Sequence, residues 1–168
     1  MADPVVEVTT NHGKFAITLD GAKAPKSVAN FLTYVDNKHY DGTVFHRIIP
    51  TFMIQGGGFD QRLDKKPVNA PVHNEADNGL KNARGTVAMA RTSDPHSATS
   101  QFFVNVEDNV ALDHKAKDGV GWGYAVFGRV TEGMDVVNKI KAVKTGAGGP
   151  FTKDCPIEMV VIQSVRRR

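Results

Sequence analysis

Apolar and polar residues alternate along VVEVTTNHGKFAITL, on both sides of Asn11-His12-Gly13. A period of two interrupted by a turn signal predicts a β-hairpin, with Val6, Val8, Phe15, Ile17 and Leu19 facing inward. The period then changes. In APKSVANFLTYVDNKHYDG, Val28, Phe31, Leu32 and Val35 fall at i, i+3, i+4 and i+7, and Pro25 suits a first helical turn. That spacing predicts an amphipathic helix closed by the turn around Asp41-Gly42. From 44 to 58 the pattern returns to short β runs broken at Pro50, and residues 60 to 84 are polar and rich in turn formers, as in a long ordered loop. Strand-like runs follow at GTVAMAR, SQFFVNV and YAVFGRV. EGMDVVNKIKAV is helical through Met134, Val137 and Ile140, and IEMVVIQSV closes the chain as a strand. Two helices among about eight short strands predict a mainly β fold, a closed eight-stranded antiparallel β-barrel capped by two α-helices.

At 168 residues and 40% hydrophobic content, the chain can build one real core, and no repeat, linker or low-complexity segment divides it. The expectation is a single domain over 1–168. A pI near 9.0 points first to nucleic acid. The formal charge is only +3, however, and Arg166, Arg167 and Arg168 account for all of it. A neutral body with a basic tail argues against a nucleic-acid partner, and the tail reads as a solvated end that aids solubility. Cys155 is the one cysteine, so no internal disulfide can form. No apolar run reaches membrane-spanning length, and MADPVVEV lacks the layout of a signal peptide. The expected location is the cytoplasm, or the periplasm if the chain is a trimmed mature form, with no membrane contact.

Familiar catalytic signatures are missing: there is no G-x-S-x-G, no Walker loop and no G-x-G-x-x-G, and neither Gly56-Gly57-Gly58 nor TGAGGP matches a phosphate loop. The six histidines, at 12, 39, 46, 73, 96 and 114, match no metal-binding spacing, so no metal and no cofactor is expected. Ser100 has neither an elbow motif nor a histidine partner in sequence and reads as a strand residue. What remains is FHRIIPTFMIQGGGF at 45–59, which sets one arginine and one glutamine among apolar residues without a nucleophile or base. Taken alone, it has two readings. Phe45, Ile48, Phe52, Met53 and Ile54 could be core with Arg47 in a structural ion pair, or the arginine could be functional.

Several segments in fixed order decide between them: FHRIIPTFMIQGGGF, MAR at 89–91, SQFF at 100–103, ALD at 111–113 and YAVFGRV at 124–130. Together they resemble the cyclophilin family of peptidyl-prolyl isomerases over essentially the whole chain, and GWGY with the long polar loop resembles bacterial members. The resemblance implies an enzyme that accelerates cis/trans rotation about X-Pro bonds. Unaided, that step crosses a barrier of roughly 18–20 kcal/mol set by the amide's partial double bond. No covalent bond breaks, so no nucleophile is required.

By family position, Arg47 is the catalytic arginine, and Gln55 holds the substrate backbone and helps position Arg47. Phe52, Met53, Phe103 and Leu112 line a slot for the proline ring, each in a segment that reads as strand or strand end. Ala90 and Arg91 offer main-chain groups to an extended peptide, Arg91 by its backbone only because the family more often has asparagine there. Tyr124 stands where many members have histidine, and Ala111 where many have tryptophan. The implied partners are proline-containing peptides and unfolded segments, bound by a monomer. Cyclosporin, which typically takes a hydrogen bond from that tryptophan, is expected to bind weakly unless Trp122 folds back over the pocket. Two rivals belong to other classes: a peptide-binding or chaperone module with little turnover, and a β-barrel carrying a small ligand in a hollow lumen.

Overall fold

The computed structural model describes residues 3–168. In chain order the elements are β1 (Val5–Thr10), β2 (Gly13–Leu19), α1 (Pro25–Asp36), β3 (Thr43–Ile49), β4 (Met53–Asp60), β5 (Thr86–Met89), β6 (Phe102–Asn105), β7 (Val126–Glu132), α2 (Met134–Lys141), β8 (Thr145–Gly148), β9 (Phe151–Pro156) and β10 (Val161–Arg167). Eight of the strands close into a barrel in the order β1-β10-β3-β4-β6-β5-β7-β2, and the pairs are antiparallel. The first hairpin turns at Asn11-His12, with Thr10 paired to Gly13 as the alternation predicts.

Period-two patterning sends Val6, Val8, Phe15, Ile17 and Leu19 into the interior, each at most 2% exposed. Phe45, Ile54, Phe102 and Phe127 enter from other strands, while α1 contributes Val28, Phe31, Leu32 and Val35, and α2 contributes Val136, Val137 and Ile140. Phe31 sits at the centre, its ring 5.5 Å from Phe102 in an edge-to-face contact, 5.1 Å from Phe127 and 5.2 Å from Tyr40. An eight-stranded barrel can be filled by side chains or can hold one small ligand, and here these side chains fill it. The interior is therefore a packed core, and the carrier with a hollow lumen is excluded.

Two local expectations change. The helix α1 ends at Asp36, before the turn at Asp41-Gly42, because Lys38 adopts φ 57° and the N–H of His39 returns to the Tyr34 carbonyl. Such a left-handed residue satisfies the last helical carbonyls. Ser100 lies before β6, fully buried, rather than within a strand. The hairpin β8–β9 has no signal in the sequence pattern, since the glycines of β8 carry no alternation to read. It closes over the outside of β3, where Cys155 packs with Val44 and Leu63.

The basic tail is exposed to solvent, but it is not a loose end. Strand β10 runs to Arg167, pairing Arg166 with Glu7 and Arg167 with Val6 on β1. The Arg166 guanidinium donates to both oxygens of Asp41, at 2.8 and 2.6 Å, and Arg167 to both oxygens of Asp36, at 2.9 and 2.7 Å. Arg168 reaches Glu7 and Glu132. The charge that raised the pI is thus answered by nearby carboxylates. No helix among the described residues is long and apolar enough to cross a membrane.

Since the Arg166–Asp41 pair is bidentate but partly solvated, a double-mutant cycle with Arg166→Ala and Asp41→Ala should give a coupling of about 0.5–1 kcal/mol in urea denaturation. Raising the salt concentration should shrink it. A coupling indistinguishable from zero at low salt would show that strand pairing alone holds the tail.

Candidate active site

Strand β3 carries a bulge. Phe45 pairs with Gly56 and Arg47 with Gln55, so His46 is an extra residue between two successive pairs. The bulge lets Phe45 and Ile48 both enter the core while Arg47 stays on the outer face, exposed. Arg47 is therefore not a charge buried in apolar company, and among the described residues it forms no ion pair. Its Nη1 donates to Gln55 Oε1 at 3.4 Å. Gln55 in turn faces Phe103 of β6, and Phe103 faces Ala88 of β5. The inward neighbours of these residues, Ile54, Phe102 and Val87, belong to the core. One ladder thus faces the core on one side and builds a cleft on the other.

That cleft has a volume of about 230 Å³ and is lined by Arg47, Phe52, Met53, Gln55, Ala90, Arg91, Phe103, Leu112 and Tyr124. Met53 and Phe103 pack with Ala88, Ala90 and Val126 into a small apolar cluster outside the barrel, against which Phe52, Leu112 and Tyr124 lean. Phe52 belongs to the turn before β4, and Leu112 ends a short 3₁₀ turn, Val110–Leu112, rather than a strand. The Ala90 N–H is used by the Gln101 carbonyl at 3.0 Å. The Ala90 carbonyl and both main-chain groups of Arg91 have no protein partner among the described residues. Those three groups are free to pair with an extended peptide.

Two supports went unseen in the sequence. Gln101 Oε1 accepts from Gln55 Nε2 at 2.9 Å, extending the line Arg47–Gln55–Gln101. Gln101 can lie this close to β4 because Gly58 has no side chain: a Cβ there would sit 2.4 Å from Gln101 Cγ. The second support is a buried asparagine network. Asn82 Nδ2 donates to the carbonyls of Leu112 and Tyr124, at 3.1 and 3.2 Å, and Asn82 Oδ1 accepts from Asn105. Asn109 Nδ2 bonds Asn105 Oδ1 and the Phe52 carbonyl, each at 2.8 Å. Such a satisfied network fixes three cleft residues by their backbones. Its only sequence signal is the recurrence of asparagine in KNAR and NVEDN.

Trp122 does not return over the cleft. It is 6% exposed, set edge-on to His73, His96 and His114 at 5.7, 4.9 and 5.1 Å between ring centres. Among the described residues, no group of three or more His, Cys, Asp or Glu is placed to hold a metal ion.

The family model for cyclophilin type peptidyl-prolyl cis-trans isomerase matches residues 5–166. The chain belongs to the cyclophilins. It is 58% identical over 161 residues to a peptidyl-prolyl cis-trans isomerase of Streptomyces antibioticus, covering 96% of each chain. It is 53% identical to peptidyl-prolyl cis-trans isomerase B of Escherichia coli, over 96% of this chain and 98% of that one. A crystal structure of a cyclophilin type isomerase from Cryptosporidium parvum superposes with a TM-score of 0.79 at 23% identity, over 99% and 98% of the two chains. At that identity the match speaks for the fold, a closed barrel with two helices. The relatives are isomerases, and this cyclophilin is an isomerase of the same type.

Next to the arginine of the cleft, His46 turns the other way. Its ring stacks on Phe151 at 5.1 Å and lies 4.6 Å from Phe59, with Nδ1 buried and unpartnered. Burial, and secondarily the charge of Arg47, pull its pKa from 6.5 down to about 4. The folded cyclophilin therefore keeps His46 neutral where the unfolded chain would protonate it. Stability should be complete above about pH 6.5 and decline as pH falls toward 4, by about 2 kcal/mol at pH 5 and roughly 3 in all. His39, shifted down by its own burial, adds in the same direction. Urea denaturation across this range should show the decline, and His46→Gln should remove most of it. An unchanged slope in the variant would assign the acid sensitivity elsewhere.

Proposed function

We propose that this isomerase turns over X-Pro bonds in the outer cleft, with Arg47 as the catalytic donor and Gln55 as its positioning partner. The observation that supports this most is the placement of Arg47. It is held at the rim of an apolar slot by one hydrogen bond, with no carboxylate to occupy its remaining donors. As the peptide bond twists, the proline nitrogen loses conjugation and regains a lone pair, which the planar ground state does not offer. A donor aimed at that nitrogen binds the transition state selectively. Guanidinium suits the task because it presents several N–H groups in a rigid fork and stays protonated at any working pH.

Phe103 and Met53 form the floor for the proline ring, Phe52 and Leu112 the sides, and Tyr124 the far wall. Gln55 and the free main-chain groups of Ala90 and Arg91 hold the flanking peptide in extended form. Desolvating the ring and the twisting amide together strengthens the Arg47 interaction, since fewer water dipoles compete with it. The substrates are proline-containing peptides and unfolded segments of proteins. One structural neighbour, the Cryptosporidium parvum cyclophilin, was also solved in the presence of the dipeptide Ala-Pro.

Exchange NMR on a short X-Pro peptide should show catalysed cis/trans interconversion by the unmodified protein. Arg47→Ala should lower kcat/KM by roughly 10²- to 10³-fold, as when one preorganised transition-state donor is removed, with the fold intact. Because no proton moves in the reaction and arginine does not titrate, kcat/KM should be nearly flat from about pH 6 to 9. A fully active Arg47→Ala protein would transfer catalysis to ring packing and desolvation. Binding without exchange would leave a peptide-binding module.

The second expectation concerns cyclosporin. Ala111 is exposed in the Val110–Leu112 turn, and Trp122 is buried behind the wall, so neither presents an indole N–H to the cleft. Inhibition should therefore be weak, while a proline substrate keeps Phe52, Met53, Phe103 and Leu112. Ala111→Trp should tighten cyclosporin at least about tenfold in a titration, equivalent to about 1.4 kcal/mol, with little change in kcat/KM. Tight binding by the unmodified protein that survives Trp122→Ala would mean the inhibitor uses a different contact here.

A further inference from the structure

The segment between β6 and β7 forms the Tyr124 side of the cleft, and its only regular structure is the short Val110–Leu112 turn. A long loop of this kind needs a tether if one of its rings is to serve as a fixed wall. The tether lies at Gly123. This residue is buried, with φ 74°, and a Cβ there would lie 2.6 Å from the Leu112 carbonyl oxygen and 2.7 Å from His114 N. Only glycine meets both conditions. The Gly123 carbonyl accepts from Arg91 Nε at 3.0 Å, from Arg91 Nη2 at 2.9 Å and from Asn74 Nδ2 at 3.1 Å. Arg91 Nη1 bonds the Thr92 carbonyl at 2.9 Å, which fixes the plane of the guanidinium. Its carbon then stands 4.4 Å from the centre of the Tyr124 ring. Tyr124 meets Phe103 edge to face at 5.7 Å. The ring is thus held between a cation and the floor of the cleft.

We propose that the Arg91 side chain is a positioning residue that clasps the loop at Gly123 and presses Tyr124 against Phe103, setting the width of the proline slot. The assignment goes beyond the backbone role of Arg91 and rests on the outer cleft being the substrate site. It explains why arginine stands here. Two N–H groups on one carbonyl, together with a flat face over an aromatic ring, call for a planar fork that neither asparagine nor lysine supplies. Because the wall touches the ring in ground state and transition state alike, the clasp acts on binding rather than on the barrier.

The test uses the full chain and an X-Pro peptide. Arg91→Ala should raise KM about five- to tenfold while kcat stays within about twofold, as for a lost uniform contact. Arg91→Lys, which keeps the charge and the aliphatic stem, should behave like Arg91→Ala rather than like the unmodified protein. In a Tyr124→Ala background, where the wall is already gone, Arg91→Ala should change KM little further. The single tryptophan, Trp122, neighbours Gly123 and gives an independent readout: its emission should shift to the red in both Arg91 variants as the loop loosens. Unchanged KM in Arg91→Ala, full rescue by lysine, or additive effects with Tyr124→Ala would each overturn the proposal. Arg47→Ala in the same assay reports separately on whether this cleft is the catalytic site, since its effect falls on kcat.

Discussion

A filled barrel interior is the constraint on which everything else depends. The rings of Phe31, Phe45, Tyr40, Phe102 and Phe127 meet there at centroid distances of 5.1 to 6.0 Å. Burying each such ring contributes roughly 1.5–3 kcal/mol, and close packing leaves no room for a ligand. A strand that points one residue into this core must point the next one out. Phe102 and Phe103 are adjacent in sequence, yet one ring belongs to the core and the other to the floor of the cleft. The cleft is thus the reverse side of the core ladder, and its floor inherits the rigidity of the core.

On the proposed reading, that rigid floor needs little added apparatus. A rotation with no bond cleavage needs an apolar slot, a donor poised for the transition state, and a surface that holds the chain extended. Arg47 on β3, Gln55 on β4 and Gln101 just before β6 stand in line across the sheet, and Gly58 makes the line close enough to bond. His46 lies next to the arginine in sequence but is buried under Phe151, where low polarity keeps it neutral and adds no competing charge. The bulge in β3 separates the two. Architecture and sequence also diverge at different rates: the barrel matches a structure at 23% identity, because a filled interior needs apolar volume and alternation rather than particular residues.

The side of the cleft opposite Arg47 is built differently. There, loops are held by hydrogen bonds to their carbonyls: Asn82 beneath Leu112 and Tyr124, Asn109 beneath Phe52, and Arg91 with Asn74 on Gly123. Buried donors and acceptors satisfied in this way specify one conformation, because each alternative would leave a polar group unpaired. One wall of the slot is a sheet and the other a hydrogen-bonded loop. Differences in peptide preference are more easily accommodated in the loop.

The sequence by itself determined the strand faces of the first hairpin, the apolar stripes of both helices, and the segments that meet at the cleft. Periods of 2 and 3.6 are set by neighbours a few residues apart, and most of the family motifs occupy the ladder those periods build, with Arg91 and Leu112 in the loops beside it. Tertiary structure alone decided the bulge at His46, the β8–β9 hairpin, the ion pairs of the tail and the anchors of the loop. Arg166 and Asp41 lie 125 positions apart, Asn82 and Tyr124 42, Arg91 and Gly123 32. A polar residue in a turn-rich stretch looks the same on paper whether water or a distant carbonyl will satisfy it. Only the closing of the barrel brings that carbonyl within bonding distance.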